Sequence, residues 1–441
     1  MKRILILGAG RSSASLIHYL LRNAQVNDWM VTVGDIAEGS AHERIGGNGR
    51  GAFIFFDIKN ESSSRVAIKE ADVVISLLPA HFHPVVAKIC LDEGKHLLTA
   101  SYVSPEMAEY NSLAVEKGLL LLNECGLDPG IDHMSAMQII DRIRDTGGKI
   151  VSFESFTGGL IAPATDPGNP WRYKFTWNPR NVVMAGQSTA KYIEGGQHKY
   201  IPYQQLFRRL WEFDVSDLGS LEGYANRDSL KYINTYELGD VKTMIRGTLR
   251  FRGFCDAWNT FVQLGCCDDS YFMENVSDLT HRSFISSFLP GSGDVKIQLE
   301  TRFNASPQTM NALEWSGFFS EERVGLDQGT PAQILEHILN KKWRLETNDR
   351  DLIVMLHRIG YLKNGIQHLC TATLTSVGDD SVFTAMAKTV GLPLGIAAKL
   401  LLTGKINARG VIVPTTGEFY APILQELETL GISMSETDTQ R

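Results

Sequence analysis

Short apolar runs alternate with amphipathic stretches along the first 125 residues of the chain. The apolar runs have a β-type composition and predict strands at residues 2–7, 29–35, 72–78, 96–99 and 119–123. Between the first two runs, residues 12–23 carry apolar side chains at helical spacing. Strands that alternate with helices in this way form a parallel sheet that is covered by helices. We therefore predict an α/β fold that opens with a Rossmann-type parallel-sheet domain over residues 1–130.

The pattern changes after residue 130. Two-residue periodicity predicts strands of a second, more antiparallel sheet at residues 149–160, 243–252 and 369–377. Between about residues 263 and 348 apolar residues recur at helical spacing, which predicts a mainly helical insertion. We expect a second α/β domain over residues 131–389. A further helical pattern at 381–402 suggests that residues 390–441 pack back on the first domain.

Composition and charge exclude several classes of protein. Hydrophobic residues make up 43% and charged residues 21% of the 441 residues, as in ordinary globular chains. A net charge of -7 gives no general attraction to nucleic acid. The six cysteines lack CxxC spacing, which argues against a zinc site and favours a reducing compartment. No apolar run approaches the roughly 20 residues of a membrane span, so we expect a cytoplasmic protein that binds no membrane.

A glycine-containing turn follows the first predicted strand. Residues 8–13 read Gly-Ala-Gly-Arg-Ser-Ser, a version of the dinucleotide-binding fingerprint. In this motif the first glycine permits the tight turn and the second lets a pyrophosphate approach the backbone at a helix N-terminus. We expect the cofactor to contact Gly8, Gly10, Arg11, Ser12 and Ser13.

Asp35 ends the second predicted strand. A carboxylate at this position binds the adenosine ribose in many dinucleotide-binding domains, and its charge would repel a 2′-phosphate. The sequence therefore favours NAD over NADP. The alternative is that Asp35 caps the following helix.

Ionisable side chains are concentrated between Glu124 and His133. This stretch reads Glu-Cys-Gly-Leu-Asp-Pro-Gly-Ile-Asp-His and follows a predicted strand one crossover beyond the dinucleotide pattern. Two other turns, at residues 76–79 and 99–102, also follow strands at their carboxyl ends, where open α/β sheets hold ligands. We predict that the reaction centre lies here, and that Asp132 and His133 begin the next helix in a structural role.

A candidate metal pair stands between these turns. His81 and His83 are two residues apart, but neither a carboxylate nor a cysteine stands at ligand spacing from them. Pro84 is typical of the first turn of a helix. We therefore assign no metal.

Eight ordered blocks of residues carry a resemblance to a known family. They are Ile-Ser-Leu-Leu-Pro (75–79), Thr-Ala-Ser-Tyr (99–102), Gly-Leu-Asp-Pro-Gly-Ile-Asp-His (126–133), Gly-Gly-Leu (158–160), Tyr-Lys-Phe-Thr-Trp (173–177), Glu-Gly-Tyr-Ala-Asn-Arg-Asp-Ser (222–229), Arg-Gly-Thr-Leu-Arg (246–250) and Met-Ala-Lys-Thr-Val-Gly (386–391). In this order the blocks resemble saccharopine dehydrogenases of the glutamate-forming type, whose counterpart forms the C-terminal half of animal aminoadipic semialdehyde synthase. The resemblance runs from residue 1 to about residue 430.

The resemblance implies an oxidoreductase of lysine metabolism that acts on a CH–NH group, and Asp35 makes NAD its expected cofactor. Its substrate would be L-saccharopine, a secondary amine with three carboxylates. Oxidation gives an imine, which water splits into L-glutamate and 2-aminoadipate 6-semialdehyde, and the reaction can also run in reverse. The resemblance further implies a homodimer, with residues 131–389 as the α/β substrate-binding and dimerisation domain.

The resemblance also assigns roles to individual residues. It implies proton transfer by Asp128 and Tyr102, and substrate contacts from Ser101, Tyr102, Asp128, Arg227, Thr248, Leu249 and Arg250. It places Ser76 and Leu77 beside the nicotinamide, Asp57 near the adenine, and Thr176 near the phosphates or ribose. At position 157 this chain has Thr where many relatives have Cys, so a thiol cannot act there.

Several of these residues have plainer interpretations. Asp128 stands before a proline, as turn residues often do, and Asp57 could simply end a strand. Arg246, Arg250 and Arg252 alternate along a predicted strand, and without the family such a row indicates one solvated face. The resemblance reverses that interpretation for Arg250 but not for Arg252.

Two other functions are considered beside the leading one. The first is a related C–N oxidoreductase, such as a carboxynorspermidine synthase or a lysine 6-dehydrogenase. The second is a catalytically silent nucleotide sensor. The intact blocks at 226–229 and 246–250 argue against the related oxidoreductases, whose substrates would not need the same carboxylate contacts. The joint presence of Tyr102, Asp128 and Arg227 argues against a silent sensor. The direction of the reaction in the cell depends on metabolite concentrations and is not encoded in the chain.

Overall fold

A computed structural model describes residues 1–187 and 189–440, which divide into two compact units. The first unit comprises residues 1–147 and 374–435, and the second comprises residues 148–373 and 436–441. The predicted boundaries at 130 and 390 are thus displaced. The first shifts because helix Ile131–Asp145 belongs to the first unit, where Tyr420 donates a hydrogen bond to Asp141 at 2.8 Å.

The first unit is built on a seven-stranded, all-parallel sheet. Its strands, in chain order, are β1 Lys2–Leu7, β2 Trp29–Asp35, β3 Gly51–Phe55, β4 Val73–Ser76, β5 His96–Thr99, β6 Leu120–Leu122 and β15 Gly410–Ile412. Their order across the sheet is β15-β6-β5-β4-β1-β2-β3. The sheet therefore has the reversal of strand order beside β1 at which doubly wound folds bind nucleotides. The predicted Rossmann-type fold is confirmed.

Helices cover both faces of this sheet, as parallel sheets require. They are α1 Ala14–Ala24, α2 Glu38–Ile45, α3 Glu61–Lys69, α4 His83–Glu93, α5 Pro105–Glu109, α6 Asn111–Glu116, α7 Ile131–Asp145, α15 Ala385–Leu402 and α16 Gly417–Thr429. The α15 helix packs against α1 of this unit, as expected from the prediction that this segment packs back on the first domain.

The second unit is built on a mixed nine-stranded sheet. Its strands are β7 Lys149–Ile161, β8 Ala190–Glu194, β9 Gln197–Ile201, β10 Leu210–Val215, β11 Gly219–Ala225, β12 Thr243–Phe251, β13 Asp351–Lys363, β14 Ile366–Val377 and β16 Ser435–Gln440. The main order is β10-β11-β12-β7-β13-β14-β16, and β8 pairs with both β12 and β9. Because β16 joins this sheet, the expectation that all of residues 390–441 pack on the first domain is wrong for its last residues. Tyr361 on β13 donates a hydrogen bond to Asp438 on β16 at 2.6 Å.

The helices of the second unit are α8 Pro179–Met184, α9 Lys231–Thr235, α10 Phe254–Leu264, α11 His281–Ser286, α12 Val295–Arg302, α13 Pro307–Trp315 and α14 Pro331–Trp343. The last four lie in the region where the sequence predicted a helical insertion. A capping box at Thr330 and Pro331 in the first turn explain where α14 begins.

Trp343 ends α14 inside an aromatic cluster. Its ring lies 5.1 Å from that of Trp171 and 4.9 Å from that of Tyr173, centroid to centroid, and the side chain is fully buried. Trp343→Ala should lower the free energy of unfolding of the second unit by about 3–5 kcal/mol, because the cavity cannot collapse between rigid rings. Denaturant unfolding measures this. Trp315→Ala, at a half-buried position, is the control, and an equal loss there would contradict the cluster's role.

The expectation about membrane-length segments needs one correction. Among the described residues, α15 is long and apolar enough by length and composition to cross a membrane. In the folded chain, however, 72% of its window is buried against protein. This is also the behaviour of a core helix, so the helix gives only weak support for a membrane span.

Candidate active site

The turn after β1 has the geometry of a dinucleotide-binding loop. Gly8 adopts φ +101°, and a Cβ there would lie 3.3 Å from the backbone carbon of Leu77. Ser13 precedes α1 and donates a hydrogen bond to the Gly10 carbonyl at 2.8 Å, while Arg11 and Ser12 reach the surface. The predicted cofactor residues of this loop therefore lie together at the N-terminus of α1, where backbone N–H groups favour an anion.

Asp35 lies beside this loop at the carboxyl end of β2. One carboxylate oxygen accepts the N–H of Ala9 at 2.5 Å and the other accepts the N–H of Ala37 at 2.7 Å. Asp35 therefore ends its strand at the sheet edge and holds the backbone of two loops, whereas the N-cap of α2 is Ala37, without a side-chain cap.

Arg44 is a residue that the sequence analysis missed. It lies near the end of α2, and its Nε donates to the carbonyl oxygen of Ala9 at 2.9 Å. Its Nη1 is buried and, among residues 1–187 and 189–440, has no hydrogen-bond partner. Burial lowers the pKa of Arg44, while the nearby carboxylates of Glu43 and Asp35 act to raise it. A guanidinium nevertheless stays charged at neutral pH, so this arginine brings a cation with unused donor capacity next to the loop.

Asp57 follows β3 and forms a local turn. Its side chain accepts the N–H of Lys59 at 3.0 Å, and its carbonyl oxygen accepts the hydroxyl of Ser64 at 3.1 Å. These contacts account for the end of the strand. Asp57 lies at the carboxyl edge of the sheet, as the other predicted cofactor residues do. Its local contacts alone, however, do not indicate adenine binding.

Hydroxyl groups from two neighbouring strands surround the buried ring of His83. Ser76 ends β4 and contacts His83 Nδ1 at 3.0 Å. Thr99 ends β5 and contacts His83 Nε2 at 3.1 Å, and Ser101 contacts the same nitrogen at 2.8 Å. His83 is thus held by hydroxyls and not by metal ligands. In the described part of the chain no group of three His, Cys, Asp or Glu side chains could hold a metal ion.

Tyr102 and Asp128 are brought together at this edge of the sheet. The phenol hydroxyl lies 3.4 Å from Asp128 Oδ1, and both side chains are half-buried. Asp128 precedes a cis proline, and Gly130 follows at φ +148°, where an added Cβ would collide with the backbone of Gly126. Only glycine fits that approach, so the turn that carries Asp128 depends on it.

Glu124 and His133 fix the segments on either side of this pair. Glu124 is buried, and its two oxygens lie 3.0 Å from the N–H of Val103 and 2.8 Å from His133 Nε2. Asp132 accepts the N–H of Gly130 at 2.6 Å. These residues tie the chain next to Tyr102 to the Asp128 turn, and Asp132 and His133 lie at the start of α7, where the sequence predicted them.

In the second unit, Arg250 lies on β12 with only 5% of its surface exposed. Its guanidinium lies 5.0 Å from the ring of Tyr173 and 5.1 Å from that of Phe254. Nη1 donates to the carbonyl oxygen of Leu249 at 2.9 Å, whereas Nε has no hydrogen-bond partner in the parts of the chain that are described. Burial alone would lower the pKa of Arg250, but electrostatic interactions with Tyr224, Tyr173 and other neighbours raise it. The cation is therefore retained.

The interpretation of the β12 arginines as one solvated face is wrong. Arg246 is buried, with its guanidinium 3.9 Å from the ring of Tyr232, and of the three arginines only Arg252 is exposed. Arg227 lies in the loop after β11 at φ +51° and is exposed. Tertiary packing determines which of these arginines are buried and which are exposed, and the alternation along the strand does not reveal that packing.

Other polar side chains of the second unit are threonines. Thr248 is the neighbour of Arg250 on the same face of β12 and pairs in register with Thr157 on β7. The hydroxyls of Thr157 and Thr176 are buried, and the described residues offer neither of them a hydrogen-bond partner. Leu249, between Thr248 and Arg250, is fully buried and packs in the core. The second unit therefore holds a buried cation with Thr248 beside it on β12, and it contains two buried hydroxyls without partners among the described residues.

Two family models match the chain. The model described as the saccharopine dehydrogenase NADP binding domain matches residues 4–122, and that described as the saccharopine dehydrogenase C-terminal domain matches residues 126–432. Among similar proteins, the saccharopine dehydrogenase [NADP(+), L-glutamate-forming] of Schizosaccharomyces pombe is 32% identical over 449 aligned positions, which cover 99% of both chains. The mitochondrial alpha-aminoadipic semialdehyde synthase of Mus musculus is 33% identical, with 99% of this chain aligned to 48% of that protein.

Solved structures give the same answer for the fold. The apo saccharopine dehydrogenase (L-Glu forming) from Saccharomyces cerevisiae superimposes with a TM-score of 0.90 at 30% identity, covering 100% of both chains. A homospermidine synthase from Legionella pneumophila gives a TM-score of 0.56 at 11% identity, which shows similarity of fold alone.

The expected preference for NAD over NADP is wrong. The matched N-terminal family model and the similar fungal enzymes are named for NADP. The Asp35 carboxylate is not free to face the cofactor, because both of its oxygens accept backbone N–H groups and Arg44 stands beside it. A carboxylate engaged in this way is a weaker barrier to a 2′-phosphate than a free one.

The two family models together span nearly the whole chain, and the full-length relatives agree with them. The predicted resemblance is thereby confirmed: the chain belongs to the saccharopine dehydrogenase family of glutamate-forming type, whose members are oxidoreductases acting on the CH–NH group of their donors.

Proposed function

We propose that this chain catalyses the oxidation of L-saccharopine by NADP and water to L-glutamate and 2-aminoadipate 6-semialdehyde. The observation that carries the proposal is the 3.4 Å pairing of Tyr102 with Asp128 at the carboxyl edge of the parallel sheet. This edge also carries the dinucleotide-binding loop, so groups able to move protons stand where a bound cofactor presents its reactive ring.

The loop residues fit a phosphorylated dinucleotide. Gly8, Gly10 and the N-terminus of α1 suit the pyrophosphate, and the buried, unused Nη1 of Arg44 suits a 2′-phosphate. Ser76 and Leu77 lie at the end of β4, where the resemblance places the nicotinamide. When bound, the nicotinamide accepts hydride from the carbon next to the secondary amine.

The role of Arg44 gives a sharp prediction. Arg44→Gln should raise KM for NADP by about 10- to 100-fold, because a charge-assisted hydrogen bond to phosphate contributes about 1.5–3 kcal/mol. KM for NAD should change by less than about threefold, since NAD lacks the 2′-phosphate. Steady-state kinetics with each cofactor measure the two effects, and Arg22→Gln on the exposed end of α1 is the control. Equal losses with NAD and NADP would remove Arg44 from the phosphate site.

Asp128 and Tyr102 would handle the protons. Saccharopine carries a protonated secondary amine, which must lose a proton before hydride can leave the adjacent carbon. Asp128 accepts that proton, and Tyr102, in contact with it, passes protons to and from the water that adds to the imine. Collapse of the resulting carbinolamine breaks the C–N bond and releases glutamate and the aldehyde.

The second unit would bind the carboxylates. Arg250 presents an unused Nε beside the hydroxyl-bearing Thr248, and Arg227 offers a second guanidinium from an exposed loop. A guanidinium fork matches a carboxylate better than an ammonium group does. Thr157 places a hydroxyl at the position where many relatives have a thiol. Proton transfer in this chain therefore does not depend on a thiol at that position.

A substrate panel tests the proposal. The chain is assayed for reduction of NADP and of NAD with saccharopine, carboxynorspermidine and lysine, each over a range of concentrations. The proposal expects kcat/KM to be highest by at least two orders of magnitude for saccharopine with NADP, since the other amines cannot fill the same carboxylate-binding groups. Comparable turnover of carboxynorspermidine or lysine would favour the related C–N oxidoreductases instead.

We also propose a homodimeric, cytoplasmic protein without nucleic-acid or membrane partners. The homodimer is supported only by the resemblance, the compartment by the cysteine usage, and the lack of a nucleic-acid partner by the net charge of -7. Light scattering of the purified chain measures the oligomeric state, and microscopy of a tagged chain in its own cells measures the compartment.

A further inference from the structure

His83 occupies a position that the reaction described above leaves without a role. It begins α4 and is 3% exposed, at the point where the adjacent parallel strands β4 and β5 end. Its ring nitrogens contact hydroxyls from both strand ends: Ser76 on the cofactor side, and Thr99 and Ser101 on the side that leads to Tyr102. The ring thus bridges two segments that are assigned to different ligands.

A neutral ring suits the hydrogen bonds around His83. Thr99 Oγ1 accepts the N–H of Ser101 at 3.2 Å and also contacts His83 Nε2 at 3.1 Å. In a neutral imidazole one ring nitrogen donates and the other accepts, and hydroxyl partners can satisfy both nitrogens in either tautomer. Burial, followed by repulsion from His81, lowers the pKa of His83 to about 4, which keeps the ring neutral and suited to this pattern.

Ser101 is fixed from several directions. His83 holds its hydroxyl at 2.8 Å, Thr99 holds its N–H, and its carbonyl oxygen accepts the N–H of Glu124 at 3.0 Å. Tyr102 is the next residue, and its hydroxyl contacts Asp128. A change in the position of Ser101 is therefore transmitted directly to the proton-handling pair.

We propose that His83 is a positioning residue that acts through Ser101: it sets the hydroxyl of Ser101 and the backbone leading to Tyr102 against Ser76 at the cofactor-binding edge. This inference rests on the proposed function, which assigns the chemistry to Tyr102 and Asp128. His83 itself touches neither of them in the described contacts and transfers no proton to the substrate.

Two substitutions divide the contacts of His83. In His83→Asn the amide group can replace Nδ1 but cannot reach Ser101 or Thr99, whereas in His83→Gln an amide nitrogen or oxygen can stand near the position of Nε2. We expect His83→Asn to lower kcat for saccharopine oxidation by about tenfold or more, because small displacements of reacting groups are costly. NADPH affinity, measured by its fluorescence, should change by less than about threefold. His83→Gln should recover kcat to within about threefold of the unmodified chain.

A double-mutant cycle with Ser101→Ala separates positioning from general packing. If His83 acts through Ser101, the kcat of the His83→Asn/Ser101→Ala double variant should be no lower than that of whichever single variant has the lower kcat. His81→Asn, at the exposed neighbouring histidine, should leave kcat unchanged.

Each outcome has a clear meaning. Multiplicative effects in the cycle, or equal losses in His83→Asn and His83→Gln, would overturn the role of His83. Should His83→Asn fold poorly, the kcat of His83→Gln alone decides, and a tenfold loss there counts against the inference. If the unmodified chain does not reduce NADP with saccharopine, the proposed function fails first and the inference with it.

Discussion

Asp128→Asn is expected to lower kcat/KM for saccharopine by a factor on the order of 10³, within the range of about 10²–10⁴ that general acid–base catalysis contributes. Asparagine has nearly the same volume and can still accept the hydroxyl of Tyr102, which lies 3.4 Å from Asp128 Oδ1. The substitution therefore removes the base and leaves the turn before Pro129 intact. Steady-state kinetics measure the loss, and NADPH fluorescence should show unchanged cofactor binding.

The control for Asp128→Asn is Asp145→Asn, at an exposed position at the end of α7 in the same unit. It makes the same chemical change away from the sheet edge and should leave kcat/KM unaltered. If Asp128→Asn retained activity within about threefold of the unmodified chain, Asp128 would be a turn residue only. The base would then have to be sought among the other groups at this edge.

Arg250→Gln is expected to raise KM for saccharopine by about 10²-fold, with a much smaller effect on kcat. Loss of one charge-assisted carboxylate contact in a buried setting is expected to cost about 3 kcal/mol, and each 1.4 kcal/mol corresponds to a factor of ten. Arg250→Lys retains the charge but not the planar fork, so an intermediate rise of about tenfold is expected. Initial rates over a wide range of saccharopine concentrations measure both.

Arg252→Gln provides the matched control, because Arg252 lies two residues farther along but is exposed. It should leave KM unchanged. Thermal unfolding of all three variants checks that removal of the cation from its aromatic surroundings has not unfolded the second unit. An Arg250→Gln enzyme that folds normally and has an unaltered KM would exclude Arg250 from the substrate site.

The first unit was largely predictable because short local sequence patterns identify its strands and turns. Buried parallel strands such as Val73–Ser76 are continuous apolar runs, and the glycine turn at Gly8 marks the first crossover. The proximity of Tyr102 to Asp128 was also predictable from their positions after predicted strands, since residues that follow neighbouring parallel strands meet at one edge of the sheet.

Other features depend on contacts between distant residues and gave no local signal. The strand β16 is entirely exposed and polar, and only its pairing in the second sheet makes it a strand. The strand β13 is almost wholly buried on both faces, so its pattern does not alternate. Arginines alternate along β12 in the same way whether the row is solvated or buried. Packing against Tyr173 and Phe254 is what makes Arg250 buried.

The error about the cofactor has a similar origin. Asp35 was judged by its charge and position, without knowledge that the N–H groups of Ala9 and Ala37 engage it or that Arg44 lies nearby. His83 was considered only as half of a metal pair with His81, because the hydroxyls that surround it come from other crossovers. In each case the missing information was the partner of a side chain and not its chemical type.

The central claim is that the chain oxidises the C–N bond on the lysine-derived side of saccharopine with NADP. Product analysis by mass spectrometry, after incubation of the chain with saccharopine and NADP, tests it most directly. The account predicts one L-glutamate and one 2-aminoadipate 6-semialdehyde for each NADPH formed. Formation of lysine and 2-oxoglutarate, or the absence of NADPH with saccharopine intact, would contradict it.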